Sequence, residues 1–170
     1  MRWIYLYNNE DDDYSSLNGC GSLLTVCLTN SKFSSIDDIS ENDYLHEIML
    51  ANTPVIEKEE QLEKLSKFAY LDTLILDDGD DYKLVSLASL KNIKHLDYIS
   101  LKNCHLTDYS VLKDCKISKL DLQNSQISKA DDIIGMEEAD AINVKDTPIS
   151  QNPEELNKLK DAYPDADIMY

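Results

Sequence analysis

Glycine is scarce, with four in 170 residues. No phosphate-cradling loop can be assembled from them, since Gly19-Cys20-Gly21 is followed by neither the helix nor the basic residue such loops use. Basic residues are few as well. Sixteen Lys and Arg face 33 Asp and Glu, a net charge of −17, which argues against nucleic acid or an anionic membrane surface as the direct ligand. The natural partner is positively charged, although acidity also serves solubility. Long apolar runs are missing: nothing approaches the roughly 20 residues that span a bilayer, and Met1 to Asn8 is too short and polar for a secretory leader. The expectation is a cytoplasmic protein.

The residues that carry chemistry are equally thin. The four cysteines include no Cys-x-x-Cys and no Cys/His pair with zinc-ligand spacing, so no metal is expected and the thiols read as small buried residues or a free thiol. His46, His95 and His105 are spread along the chain, and no serine or cysteine comes with a believable base. Asp77-Asp78-Gly79-Asp80-Asp81 invites a calcium reading, but the alternate positions before its glycine are Leu76 and Leu74, so a solvated acidic loop fits better. No cofactor and no enzymatic activity are expected.

What the chain does have is repetition. Leu96, Ile99, Leu101, Cys104 and Leu106 fill every specified position of L-x-x-L-x-L-x-x-N/C-x-L. The same frame recurs from Ile117 (Leu120, Leu122, Ser125, Ile127) and from Ala139 (Ile142, Val144, Thr147, Ile149). Backwards it recurs from Leu71 (Leu74, Leu76, Gly79), Leu45 (Ile48, Leu50, Thr53, Val55), Leu23 (Val26, Leu28, Ser31, Phe33) and Met1 (Ile4, Leu6, Asn9). Seven windows thus start at 1, 23, 45, 71, 96, 117 and 139. Asp11 and Asp81 interrupt the last apolar position of the first and fourth. An independent column, Asn8, Asn30, Asn52, Asp78, Asn103, Asn124 and Asp146, supplies residues suited to a bend after each strand.

This pattern resembles the leucine-rich repeat family over nearly the whole chain, and Thr53-Pro54-Val55 and Thr147-Pro148-Ile149 look like the short repeats of bacterial members. The resemblance implies one α/β solenoid domain over 1–170, with parallel strands on the concave side and short helices or 3₁₀ turns on the convex side. Its inner sheet would be on the order of 35 Å long, which suits a protein partner better than a small molecule.

Along the chain, Met1 to Asn8 alternates Trp3, Tyr5 and Tyr7 against Ile4 and Leu6 as an N-terminal capping strand, and Phe33, Ile36 and Ile39 recur at the three-residue spacing of a helical or 3₁₀ turn. Glu57 to Phe68 reads as an amphipathic helix with Gln61, Leu62, Leu65 and Phe68 on one side and charges on the other. Pro153-Glu154-Glu155 opens a second helix to about Tyr163. Pro164 stops it, and Ala166 to Tyr170 is a candidate final edge strand.

Strand alternation aims repeat positions 3, 5 and 7 outward. The expected partner-binding residues are Trp3, Tyr5, Tyr7, Met49, Ile75 and Tyr98 as apolar anchors, with Glu47, Asp77, Asp78 and Asp121 among the carboxylates around them. A purely structural use exists for Trp3, Tyr5 and Tyr7, which could simply cover the end of the solenoid. As binding residues they suggest electrostatic steering of a basic partner followed by aromatic anchoring. In character the chain is similar to the cytosolic immunity proteins that bind and neutralise interbacterial toxins, often nucleases. That likeness implies a monomer in a 1:1 complex with a basic toxin. The alternative is an acidic repeat scaffold or regulatory subunit for a phosphatase or histone-type protein.

Overall fold

The computed structural model describes residues 2–93 and 95–170, so Met1, the first position of the first repeat, lies outside the described residues. Eight strands form one parallel sheet in chain order: β1 (Trp3–Tyr5), β2 (Thr25–Cys27), β3 (Glu47–Met49), β4 (Thr73–Ile75), β5 (Leu96–Ser100), β6 (Ile117–Asp121), β7 (Ala141–Asn143) and β8 (Asp167–Met169). Ile4, Val26, Ile48, Leu74, Ile99, Leu120 and Ile142 stand side by side in the ladder, joined at the far end by Ile168. This is the repeat register read from the sequence, and the final strand also lies where it was expected. The reason is energetic. Only this alignment stacks Val26, Leu28, Phe33 and their equivalents in every coil into one continuous core, and a shift of one residue would turn that face to water.

The turn after each strand follows from the asparagine column. Asn8, Asn30, Asn52, Asn103 and Asn124 have φ between 51° and 60°, and Asp146 has 58°. Asn and Asp occupy that left-handed region at the least cost after glycine. The carboxamides also link neighbouring coils: Asn52 Nδ2 donates to Asn30 Oδ1 at 2.9 Å, and Asn124 Nδ2 to Asn103 Oδ1 at 2.9 Å.

Coil four departs from the column. Asp78 is only 5% exposed, and its carboxylate accepts the Leu84 amide at 2.6 Å and the His105 amide at 3.2 Å. It therefore turns into the solenoid and ties three segments together. Expected on the binding surface, Asp78 is instead a buried bracket. The loop beyond it folds over coil three, where Asn52 Oδ1 accepts the amides of Asp81 and Tyr82 at 3.1 and 3.0 Å. Gly79 makes this approach possible, because a Cβ there would lie 2.0 Å from Asn52 Cγ. The interruptions at Asp11 and Asp81 are short insertions: three residues on, Tyr14 (3% exposed) and Leu84 (4% exposed) fill the apolar slot. The Tyr14 ring packs edge-on against Phe33 at 5.4 Å.

Return segments are built mostly of 3₁₀ turns. Glu57 to Phe68 is not one helix: a 3₁₀ turn at Pro54–Glu57 is followed by α1 (Glu59–Leu62) and a further 3₁₀ turn at Glu63–Lys67. Two features explain it. Val55 and Ile56 are both fully buried, so the chain must leave the core through an extended Lys58 (φ −118°, ψ 96°) before it can coil again. The next core residues, Leu62, Leu65 and Phe68, then recur every third position, which matches three residues per 3₁₀ turn better than 3.6. The C-terminal end is covered by α2 (Pro148–Gln151) and α3 (Pro153–Ala162). Asn152 caps α3 by accepting the Glu154 and Glu155 amides, and Leu156 and Leu159 seal the core.

Candidate protein-interaction surface

Alternation along each short strand sends one set of side chains into the core and the other onto the open face of the sheet. In the first four coils the middle row of that face is apolar, and aromatic rings flank it at β1. Trp3, Tyr5 and Tyr7 are 57%, 54% and 53% exposed, and the Tyr5 and Tyr7 rings stack at 6.0 Å. Register places Tyr5, Cys27, Met49 and Ile75 in one row across β1 to β4, with Met49 and Ile75 half-buried. Cys27 belongs to this outward row yet has no exposed surface. The pKa of the neighbouring Tyr7 phenol is pushed up to about 12, first by hydrogen bonding to Cys27, then by the charge of a Cys27 thiolate. Tyr7 therefore keeps its proton at any physiological pH. Glu47 borders the row and accepts the Thr25 hydroxyl at 3.0 Å.

From Asp77 onward the face is polar and internally bonded. Asp77 Oδ1 accepts the Ser100 hydroxyl at 2.6 Å and the Lys102 amide at 2.8 Å. Asp121 pairs with Lys102 Nζ at 3.1 Å, and it accepts the Asn143 carboxamide at 2.9 Å and the Tyr98 hydroxyl at 3.4 Å. Burial raises the Asp77 pKa against the lowering effect of Ser100 and Lys102. For Lys102, burial opposes its charge, but the hydrogen bond and charge of Asp121, with Tyr98 and Asp77, outweigh it and raise the pKa. Asp77 and Asp121 are thus committed to holding adjacent strands, a use that the expectation of a free acidic rim did not include. Tyr98 is half-buried within the same network, four rungs from Trp3.

A second exposed aromatic group lies at the N-terminal ends of β3 and β4, where Tyr44 and Tyr70, 56% and 53% exposed, stack at 5.9 Å. His46 packs against Tyr70 at 5.8 Å, and its Nδ1 lies 2.8 Å from Asp72 Oδ2. A cleft of about 240 Å³ runs from Tyr70 to His95, whose ring lies 2.6 Å from Asp97 and 3.3 Å from Glu138. Strand alternation does not point to Tyr44 and Tyr70. Their signal is the residue just before each repeat, a column reading Ser22, Tyr44, Tyr70, His95, Lys116, Glu138.

All four cysteines are free, and three of them are buried. Burial pushes the Cys104 thiol up, and the Cys115 thiol to about 11, which leaves both poor nucleophiles. Among the described residues, no group of three or more His, Cys, Asp or Glu could hold a metal ion, and no helix is long and apolar enough to cross a membrane.

The sheet order, repeat register and 3₁₀ returns define a leucine-rich repeat fold. Solved structures agree. A leucine-rich repeat protein of Leptospira interrogans, LIC12759, superposes with a TM-score of 0.72 at 16% identity; the match covers 100% of this chain and 43% of that one. Internalin C2 of Listeria monocytogenes gives 0.64 at 14% identity, covering 99% of this chain and 78% of its own, and internalin F of the same species gives 0.53 at 18%, covering 99% and 60%. The chain thus spans less than half the length of the Leptospira protein. No family model matches the chain, and no curated protein matches it. At these identities the likeness is one of fold.

Proposed function

We propose that the chain is a non-enzymatic protein-binding module, and specifically a cytoplasmic immunity protein that binds a basic antibacterial toxin, a nuclease, as a monomer in a 1:1 complex. One observation carries this reading: the contiguous apolar row of Tyr5, Cys27, Met49 and Ile75, flanked by the half-exposed rings of Trp3 and Tyr7, on a chain of net charge −17. Aromatic residues left in water on a rigid sheet are typical anchors of protein interfaces. The surrounding negative field speeds encounter with a cationic partner. In a nuclease, that cationic surface is the cleft that receives phosphates, and carboxylates on this chain take the phosphates' place.

The test is capture on immobilised chain from extracts of its native host, followed by a nuclease assay of whatever is retained. A basic protein held at equal stoichiometry, with nuclease activity that falls as free chain is added, is the expected result. A retained basic protein with no toxic activity would replace the immunity role with that of a scaffold. Retention of only acidic or neutral proteins would remove the basic-partner reading altogether.

A further inference from the structure

The two ends of the sheet are finished differently. At the C-terminal end, β8 presents Asp167, Ile168 and Met169 beside Pro164 and Asp165, and Lys160 lies over the Tyr170 ring at 3.6 Å. Charge and proline of this kind discourage another strand from pairing. At the N-terminal end, β1 reads Trp3-Ile4-Tyr5, with no proline and no charge within the strand, and Arg2 before it. The bonds to β2 run through Arg2, Leu6 and Asn8: Leu24 and Thr25 donate to Arg2 O, Leu6 donates to Cys27 O, and Asn8 to Thr29 O. In a parallel ladder the peptide groups of alternate residues point to opposite edges. The N–H and C=O of Trp3 and Tyr5 therefore face away from the sheet, where no strand among the described residues pairs with them.

Beside this edge lies a cleft of about 460 Å³. Ile4, Tyr14 and Leu17, all under 9% exposed, form its apolar floor, and Asp11 and Asp13 line it as well. The adjoining loop carries four consecutive carboxylates, Glu10 to Asp13. Against them stand Arg2 and Lys32, the latter 3.7 Å from Glu10. The Asp13 carboxyl is held below its ordinary value by bonds from the Ser15 hydroxyl and amide, so it is charged at neutral pH.

We propose that the outer edge of β1 accepts an extended, basic segment of the protein partner as an added strand. The proposal rests on the basic-partner reading above and deepens it with a mode of recognition. Main-chain bonds to Trp3 and Tyr5 give the segment its register. An apolar side chain enters the cleft over Ile4 and Leu17, and lysines or arginines on either side meet the Glu10–Asp13 loop. Trp3 and Tyr5 rise beside the added strand on the open face, which gives their exposure a use.

The probe is an octapeptide of alternating Lys and Val, blocked at both ends. Two controls accompany it: the same peptide N-methylated at alternate residues, and a Glu/Val peptide. At low salt the Lys/Val peptide should slow amide hydrogen exchange at Trp3 and Tyr5 by about tenfold or more. Both controls should bind at least about tenfold more weakly. Tyr5→Ala keeps the edge amide and Tyr5→Pro removes it, while the β1–β2 ladder, which runs through even-numbered residues, is untouched by either. The proline variant should therefore lose about tenfold more affinity than the alanine variant, at an unchanged melting temperature.

Equal binding of the N-methylated peptide, or binding without protection at Trp3 and Tyr5, would overturn strand addition and leave a basic-partner module that works through its side chains. No binding of the Lys/Val peptide would overturn it too, with the capture experiment still deciding the wider reading. Protection of the same two amides by chain concentration alone would assign the edge to a second copy and likewise overturn it.

Discussion

At the scale of single residues, the least replaceable contact is that between Gly79 and Asn52. The glycine is needed for space, because a Cβ would sit 2.0 to 2.3 Å from three atoms of the Asn52 side chain. Asn52 is needed for geometry, since it turns at φ 51° and receives two amides of the inserted loop. Gly79→Ala should therefore destabilise by about 2 kcal/mol, the usual cost of overpacking a closed site. Removing the obstructing side chain with Asn52→Gly should recover part of that loss. A double-mutant cycle by urea unfolding should show coupling of about 1 kcal/mol or more; strictly additive effects would mean the two residues do not press on each other.

Asp77 makes a second residue-scale case, this time through charge. Its pKa is raised in the folded chain, chiefly by burial, above its ordinary 3.8. The native state therefore holds that proton more tightly than the unfolded state does. The stability this contributes is complete below 3.8 and is lost as pH rises through the folded value. Asp77→Asn keeps an oxygen to accept from Ser100 and Lys102 but cannot ionise. Stability of the variant relative to the parent should thus increase as pH climbs from about 3 to 7. Paired denaturation curves across that range would measure it, and a difference that stayed flat would refute the assignment.

At the scale of elements, strands were far more legible than the segments that return between them. A strand in a solenoid announces itself by residues at positions 1, 4 and 6 that must meet their equivalents in the next coil, and Ile4, Val26, Ile48 and Leu74 meet in the register their spacing implied. Return segments obey a looser rule. Leu62, Leu65 and Phe68 show that one side is apolar, but their spacing of three favours 3₁₀ over α-helix only weakly in so short a run. What decided the outcome was the double burial of Val55 and Ile56 just upstream, which no single-segment pattern displays. On the open face, the exposure of Trp3, Tyr5 and Tyr7 was legible in the sequence, and the internal bonding of the polar half was not. Sequence spacing shows that Asp77, Asp121 and Lys102 share a face; it does not show that they spend their charges on one another. Asp78 was misplaced for a related reason, since its column is otherwise turn residues that point outward. The terminal helix α3 was plain from its proline start, and its cap is a fair test. Asn152→Ala should cost about 1 kcal/mol. Because each coil leans only on its neighbours, hydrogen exchange should quicken in α3 and β8 and remain unchanged in β1 to β4.

At the scale of the whole molecule, charge and aromatic surface are separate instruments, and their kinetic signatures separate them. Net charge acts at long range on the approach of a cationic partner, before any ring touches. In the proposed complex the rings act only after contact, by filling pockets and excluding water. Trp3→Ala should therefore weaken binding of the captured partner by about 2 kcal/mol or more, almost entirely through faster dissociation. Salt should do the reverse. Raising ionic strength from about 10 mM to 150 mM shortens the Debye length from about 30 Å to about 8 Å. Across that change the field of the carboxylate excess fades before the two surfaces are close enough to orient. Association should slow by about tenfold or more while dissociation of the parent complex changes little. Stopped-flow mixing at several salt concentrations gives both constants. An association rate indifferent to salt would assign the acidic excess to solubility and leave the apolar face of the first four coils as the whole basis of recognition.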